Sequence, residues 1–186
     1  MTARDLALIA TFAALIAVLG LPGAFHPFGQ AVPITLQSLG VMLAGALLGW
    51  KRGALTIALF IALGAIGLPV FAGGRGGLVV FAGPTIGYIA GYLLGALVIG
   101  ALVQARAHRL GALWMAFSIA VGGIGVVHLL GIPGMMWRLG LDLPAALVAA
   151  AVYIPGDVVK LIVATVVALA VHRALPTLLP TTPPAR

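Results

Sequence analysis

The chain has 186 residues, of which 63% are hydrophobic and only 7% are charged. Its mean hydropathy of +1.25 excludes a water-soluble globular domain and indicates an integral membrane protein. Cysteine and glutamate are absent, which excludes thiol chemistry and cysteine-ligated metals and argues against an enzyme, a metal site or a bound cofactor. The net charge of +7 is scattered between apolar runs, so we expect the lipid bilayer, and not nucleic acid, as a partner.

Apolar runs bounded by charges, prolines and glycines predict a single all-α domain over residues 1–175 with six transmembrane helices. The predicted helices cover 6–20, 34–49, 53–66, 85–103, 110–130 and 144–171. The first helix follows Arg4 as a secretory signal would, but the five later helices favour an uncleaved span. Residues 176–186 hold four prolines and three threonines and predict a short disordered tail.

The uneven distribution of lysine and arginine predicts the orientation. Seven basic residues lie on the side of the two termini: Arg4, Lys51, Arg52, Arg106, Arg109, Arg173 and Arg186. Arg75 and Arg138 lie on the other side, and by the positive-inside rule both termini then face the cytoplasm. The outward loops 21–33, 68–84 and 132–143 are rich in glycine, proline and aromatic residues. Because such backbone is tolerated at membrane depth where it lines a cavity, we expect a pocket that opens outward.

Asp157 and Lys160 are the charged residues of the predicted sixth helix. Their i, i+3 spacing places them on one helix face near mid-membrane, where an ionised side chain costs about 2.5–3.5 kcal/mol and should face the bundle interior. Pro155 and Gly156 loosen the helix just before this pair and free backbone groups that a ligand can use. The pair is therefore either a ligand site or a structural ion pair between helices.

Further polar residues are candidates for the pocket. Gln37 and Thr35 lie near the start of the second helix, where they either contact a ligand or join helices. Arg75 is flanked by glycines, so its guanidinium either approaches a ligand anion closely or remains a solvated loop residue. Tyr88 in the fourth helix either packs or reaches the pocket. His128, near the outward end of the fifth helix, is the histidine of greatest interest.

Two predicted helices carry small residues at helical spacing. Gly87, Gly91 and Gly95 recur every four residues in the fourth helix and predict close packing against a neighbouring helix. Four alanines form a similar strip in the first helix: Ala10, Ala13, Ala14 and Ala17. The alanine strip either packs within the bundle or docks another membrane protein.

Four motifs occur in order along the chain: PITLQSLGVMLAG at 33–45, GLPVFAGG at 67–74, GPTIGY at 83–88 and VYIPGDVVK at 152–160. Together they resemble the BioY family, the biotin-binding substrate-specificity (S) components of energy-coupling factor (ECF) transporters. The resemblance runs from the first helix through the sixth and omits only the proline-rich tail. It implies the S-component fold, high-affinity binding of biotin from outside, and uptake driven by a transmembrane coupling subunit with two ATPase subunits.

The resemblance also assigns residues. It implies that Asp157 and Lys160 contact the substrate and that the glycine-rich loop supplies a polar contact at Arg75. Some members carry an arginine directly after the Gly-Tyr of the fourth helix, where this sequence has Ile89; the departure favours Arg75 as partner of the biotin carboxylate. Aromatic residues of the outward loops are expected to form a wall for the thiophane ring: Phe25, Phe28, Phe71, Phe81 and Trp137. Family members dock the coupling subunit through small residues of helix 1, which favours docking for the alanine strip.

Two other functions compete on the residues alone. An ion- or proton-coupled carrier or channel would use Asp157 and Lys160 as a relay, although a relay normally needs several ionisable groups in series. An intramembrane enzyme would need a nucleophile–base pair, which the sequence does not offer. Because no nucleotide-binding loop is present either, ATP hydrolysis is expected on other subunits.

Overall fold

The computed structural model describes residues 1–21 and 31–179, and its long elements are helices. They are α1 (Ala3–Val18), α2 (Gln37–Ala65), α3 (Ile86–Ala105), α4 (Ala112–Ile119), α5 (Val127–Leu139), α6 (Leu143–Ala151) and α7 (Ile154–Ala174). Short 3-10 turns cover Leu78–Ala82 and Ala107–Arg109, and a π-helical segment, Ala120–Val126, joins α4 to α5. Four described stretches are long and apolar enough to cross a membrane: Gln37–Ala65, Ile86–Ala105, Ala112–Leu139 and Ile154–Ala174.

The chain reverses direction inside α2, at Gly49. This residue has φ +78°, a conformation that glycine adopts at little cost and that interrupts the helix. A β-carbon on Gly53 would lie 3.1 Å from the carbonyl oxygen of Ala44, a contact that a straight helix cannot make across nine residues. The halves 37–48 and 50–65 therefore pack against each other. They correspond to the second and third predicted helices, which the sequence predicts as separate elements.

Two predicted boundaries on the outward side are wrong. The predicted helix 144–171 is divided into α6 and α7, because Pro155 lacks an N–H donor and its ring would clash with the carbonyl of Ala151 in a continuous helix. The predicted helix 110–130 continues to Leu139 through Pro133, so that much of the expected loop 132–143 is helical. Burial explains the continuation, because Met135 is only 1% exposed and packs in the bundle.

The predicted glycine packing face on α3 is confirmed. A β-carbon on Gly91 would lie 2.9 Å from Cα of Val127, and one on Gly95 would lie 2.6 Å from the carbonyl oxygen of Gly122. A β-carbon on Gly87 would similarly lie 2.9 Å from Cα of Gly134. These are backbone contacts, so α3 approaches α5 and the π-helical segment as closely as two helices can.

Gly91→Ala is expected to destabilise the protein by about 1–3 kcal/mol, because the added methyl group can be accommodated only by moving the backbone of Val127. The measurement is thermal unfolding of the purified protein in detergent. Gly111→Ala is the matched control, since a β-carbon there has no neighbouring atom within 4 Å. Equal melting temperatures for both variants would contradict this packing.

The C-terminal segment closes the end of the bundle at which Arg52 lies. We call it the basic end, because the seven basic residues on the side of the termini are predicted to lie there. Leu178 and Leu179 are 5% and 4% exposed and pack in the core, so the prediction of a disordered tail is wrong for residues 176–179. Arg52 donates a hydrogen bond from Nη1 to the carbonyl oxygen of Leu178 (2.9 Å), while its Nη2 lies 2.6 Å from Oδ1 of Asp5. The apolar leucines fold back because burial removes their side chains from water. Residues 180–186 lie outside the described part of the chain.

Candidate functional site

Two adjoining cavities lie among α3, α5, α7 and the segment that precedes α2; their space not filled by atoms, open solvent included, is about 400 and about 370 Å³. They share five lining residues: Val32, Pro33, Thr35, Tyr88 and Tyr92. Ser38, His128, Tyr153, Asp157 and Lys160 are among the residues that complete the first cavity. The second cavity also receives Gln37, Phe71, Arg75, Thr85 and Ile89. Seven of the residues predicted to contact a ligand therefore line one cavity or both: Thr35, Gln37, Phe71, Arg75, Tyr88, Asp157 and Lys160.

Asp157 and Lys160 form a buried ion pair in the first cavity. The two residues are 5% and 8% exposed, and Nζ of Lys160 lies 3.0 Å from Oδ1 of Asp157. The ammonium also donates a hydrogen bond to Oγ of Ser38 at 2.9 Å, which ties α7 to the start of α2. The charges are thus paired and hydrogen-bonded, as a charge within the membrane requires, and they stand in the wall of a cavity.

His128 is the third ionisable residue of this cavity. Its Nδ1 lies 3.0 Å from the carbonyl oxygen of Ile124, and its Nε2 faces Oδ2 of Asp157 at 3.7 Å. His128 is the histidine of greatest interest in the sequence, but no residue pattern predicts a role for it. Its proximity to Asp157 depends on the π-helical segment before α5, which only the glycines at 122, 123 and 125 could have indicated.

Aromatic side chains surround the ion pair. The rings of Tyr88 and His128 meet edge to face with centroids 5.7 Å apart, and the ring of Tyr153 lies 6.0 Å from that of Tyr88. Tyr153 donates a hydrogen bond from its hydroxyl group to the carbonyl oxygen of Val32 at 2.8 Å. The sequence does not predict Tyr153 and Ser38 as site residues, although Ser38 directly follows Gln37 and Tyr153 lies two residues before Pro155.

Gln37 links three parts of the chain beside the second cavity. Its side-chain amide donates to the carbonyl oxygens of Val70 at 2.8 Å and Ile16 at 3.3 Å, and the residue is only 3% exposed. Oγ1 of Thr35 accepts a hydrogen bond from the backbone N–H of Gln37 at 3.2 Å. Gln37 thus joins helices and lines the cavity at the same time, so the two roles considered for it are compatible.

Arg75 is held at the second cavity by a tight turn. Phe71 and Arg75 pair through backbone hydrogen bonds of 3.0 and 3.2 Å, and Gly73 and Gly74 between them have φ +71° and +70°. Nε of Arg75 donates to the carbonyl oxygen of Ala72 at 3.0 Å, which orients the guanidinium. Among the described residues Arg75 forms no ion pair. Glycines make this turn accessible, because positive φ angles strain other residues.

The predicted aromatic wall is only partly present. Phe71 lines the second cavity and packs edge to face against Phe81, with ring centroids 5.8 Å apart. Trp137 lines neither cavity and is 73% exposed, so its inclusion in the wall is wrong; the extension of α5 carries it to the outer surface of the bundle. Phe25 and Phe28 lie outside the described residues.

The alanine strip of α1 is divided between two environments. Ala10 and Ala14 are exposed, Ala17 is half-buried, and Ala13 is 2% exposed and packs in the core. The expectation that all four alanines face a partner is therefore too broad, because α1 needs part of the same strip to pack against α2. Ala10 and Ala14 remain available for docking.

Comparison with known proteins identifies the family. The model of the BioY family matches residues 1–177. The chain belongs to the BioY family. The biotin transporter BioY of Rhodobacter capsulatus is 48% identical over 185 residues, covering 95% of this chain and 97% of that protein. The biotin transporter BioY of Rhizobium etli is 44% identical over 183 residues, with coverages of 96% and 98%.

A solved structure has the same fold. It is the crystal structure at 2.1 Å of the S-component for biotin from an ECF-type ABC transporter, with a TM-score of 0.88, 31% sequence identity, and coverage of 93% of this chain and 95% of that chain. The resemblance inferred from the four motifs is thus confirmed, as is the all-helical S-component fold. This BioY-family chain is a multi-pass protein of the cytoplasmic membrane and a transport component, not an enzyme.

Proposed function

We propose that this BioY-family protein binds biotin in the two adjoining cavities and acts as the substrate-specificity subunit for its uptake. The buried Asp157–Lys160 ion pair in an aromatic cavity carries this proposal. The ureido ring of biotin offers two N–H donors and one carbonyl acceptor, which a carboxylate and an ammonium group complement. We propose that uptake is driven by an ECF module composed of a transmembrane coupling subunit and two ATPases.

The alternative is an ion- or proton-coupled carrier or channel that uses Asp157 and Lys160 as a relay. In the described part of the chain His128 is the only further residue at ion-pair distance from Asp157 or Lys160. The next ion pair, Asp5 with Arg52, belongs to the basic end and does not line either cavity. Retention of radiolabelled biotin by the purified protein tests the proposal; proton or ion flux in vesicles without biotin retention would favour the relay.

We infer six membrane spans with both termini in the cytoplasm. The reversal at Gly49 supports two spans within α2, and α1, α3, the continuous stretch Ala112–Leu139 and α7 supply the other four. Arg52 contacts Asp5 of α1 and Leu178 beyond α7, which supports placing both termini at the basic end. The excess of lysine and arginine there then favours the cytoplasmic side.

Single cysteines at Arg75 and Arg106 should give opposite labelling in whole cells. An impermeant maleimide is expected to label position 75 and not position 106, and permeabilisation should expose position 106 as an internal control. The chain has no native cysteine to complicate the assay. Labelling of position 106 but not 75 in intact cells would reverse the topology.

We further propose that Arg75 pairs with the carboxylate of biotin. Arg75 lines the second cavity together with Ile89, which cannot bind an anion. Arg138, the other basic residue of the outward side, lines neither cavity; it donates to the carbonyl oxygen of Ala82, and its guanidinium lies over the ring of Trp137. Arg75 is therefore the better-placed cation.

Arg75→Gln is expected to weaken biotin binding by about 1.5–3 kcal/mol, the value of a charge-assisted hydrogen bond. Affinity for a neutral biotin amide should scarcely change, because the amide lacks the anion that the guanidinium recognises. Isothermal titration with both ligands measures the difference, with Arg138→Gln as the matched control. Equal weakening of biotin and its amide would instead assign Arg75 to the ureido ring or to the shape of the loop.

A further inference from the structure

His128 presents an acceptor nitrogen to the first cavity. Its Nδ1 lies 3.0 Å from the carbonyl oxygen of Ile124, one turn earlier in the π-helical segment. A carbonyl oxygen can only accept a hydrogen bond, so Nδ1 carries the ring proton. In the neutral imidazole Nε2 then holds a lone pair. The backbone of the preceding segment thus determines which nitrogen faces the cavity.

This acceptor lies opposite a second acceptor. Nε2 of His128 is 3.7 Å from Oδ2 of Asp157, which is too long for a direct hydrogen bond. Nε2 is buried and has no hydrogen-bond partner among the described residues. A buried acceptor without a donor costs free energy, so the position favours an N–H or O–H group that can reach both atoms.

The neighbouring side chains do not supply that donor. Lys160 directs its ammonium group to Oδ1 of Asp157 and to Ser38, and Tyr153 donates its hydroxyl hydrogen to Val32. The ring of Tyr88 packs against His128, yet the hydroxyl of Tyr88 has no hydrogen-bond partner in the described part of the chain. The titratable and charged groups that line the cavity around His128 are therefore Tyr88, Tyr92, Tyr153, Asp157 and Lys160.

We propose that His128 is a specificity-determining residue. Together with Asp157 it accepts a hydrogen bond from one N–H group of the ligand. Two acceptors 3.7 Å apart can share one donor in a three-centre hydrogen bond. The ligand class is a cyclic urea or a related ring that carries an N–H. This inference rests on the proposed biotin-binding function. It adds a residue of α5 that accepts a hydrogen bond from a ureido N–H.

The test compares two variants with two kinds of ligand. His128→Phe keeps a ring but removes the acceptor, whereas His128→Gln keeps an acceptor oxygen. His128→Phe should weaken biotin about 5- to 12-fold, corresponding to one hydrogen bond, and His128→Gln should weaken it less. The second kind of ligand is a biotin analogue in which an oxygen atom replaces one ureido N–H to give a cyclic carbamate, prepared as both regioisomers. For the regioisomer that lacks the shared N–H, His128→Phe should leave the affinity unchanged.

Equal weakening of biotin and both regioisomers by His128→Phe would reduce His128 to a residue that shapes the cavity, and unchanged biotin affinity would also overturn the inference. If His128→Phe fails to fold, His128→Leu, which also lacks the acceptor nitrogen, takes its place in the same comparison. If the wild-type protein retains no biotin, the proposed function itself fails.

Discussion

Purified Asp157→Asn protein is expected to lose most of its affinity for biotin while remaining folded. Asparagine keeps the shape of the side chain but removes the negative charge that pairs with Lys160 and that we propose binds an N–H group of biotin. A charge-assisted hydrogen bond contributes about 1.5–3 kcal/mol, so the dissociation constant should rise roughly 10- to 150-fold. Isothermal titration on monodisperse protein measures the change.

Matched variants separate the site from the fold. Asp142 is an exposed aspartate that caps α6, with Oδ1 accepting from the backbone N–H of Ala145 at 2.9 Å, and Asp142→Asn should leave biotin binding intact. Lys160→Ala should also impair binding, although removing one partner of a buried pair can cost about 3–5 kcal/mol of stability. Folding of each variant is therefore checked by size-exclusion chromatography and thermal unfolding. A folded Asp157→Asn protein with undiminished affinity would assign the ion pair to structure alone.

Much of this architecture follows from short-range patterns in the sequence. Asp157 and Lys160 share a helix face because of their spacing, and the cost of charge in the membrane directs that face inward. Gly91 and Gly95 indicate a close helix contact for a similar reason, because glycine has no side-chain carbon and so leaves room for the backbone of a neighbouring helix. In both cases the spacing of the residues along a helix and the apolar character of the bilayer were sufficient for the prediction.

The features that the sequence did not predict depend on contacts between distant segments. Leu178 and Leu179 stand among prolines, and they are buried in a core cluster that also includes residues of α2, α3 and α4. Trp137 was assigned to an outward loop because Pro133 precedes it, yet burial of Met135 keeps α5 helical past the proline. The approach of His128 to Asp157 requires the π-helical segment, whose altered helical register no simple hydrophobic period encodes.

We propose that the coupling subunit docks on the exposed alanines of α1, where local and tertiary information differ in the same way. All four alanines satisfy the small-residue spacing, but only Ala10 and Ala14 are exposed, while Ala13 is used for packing inside the bundle. A coupling subunit that approaches this face would meet a shallow surface on which helices can pack closely. Bulk at an exposed position should then affect assembly without disturbing the biotin site.

Ala14→Trp is expected to abolish biotin uptake in cells that contain the complete ECF module, while the purified variant still binds biotin. The indole ring would hold the partner helix away from α1, and Ala14 lines neither biotin cavity. Ala145→Trp, at an exposed alanine of α6, is the matched control and should preserve both uptake and binding. Co-purification with the coupling subunit should be lost for Ala14→Trp alone. Loss of binding together with uptake would show that the position supports the fold of this chain, and retained uptake would move the docking surface to another face.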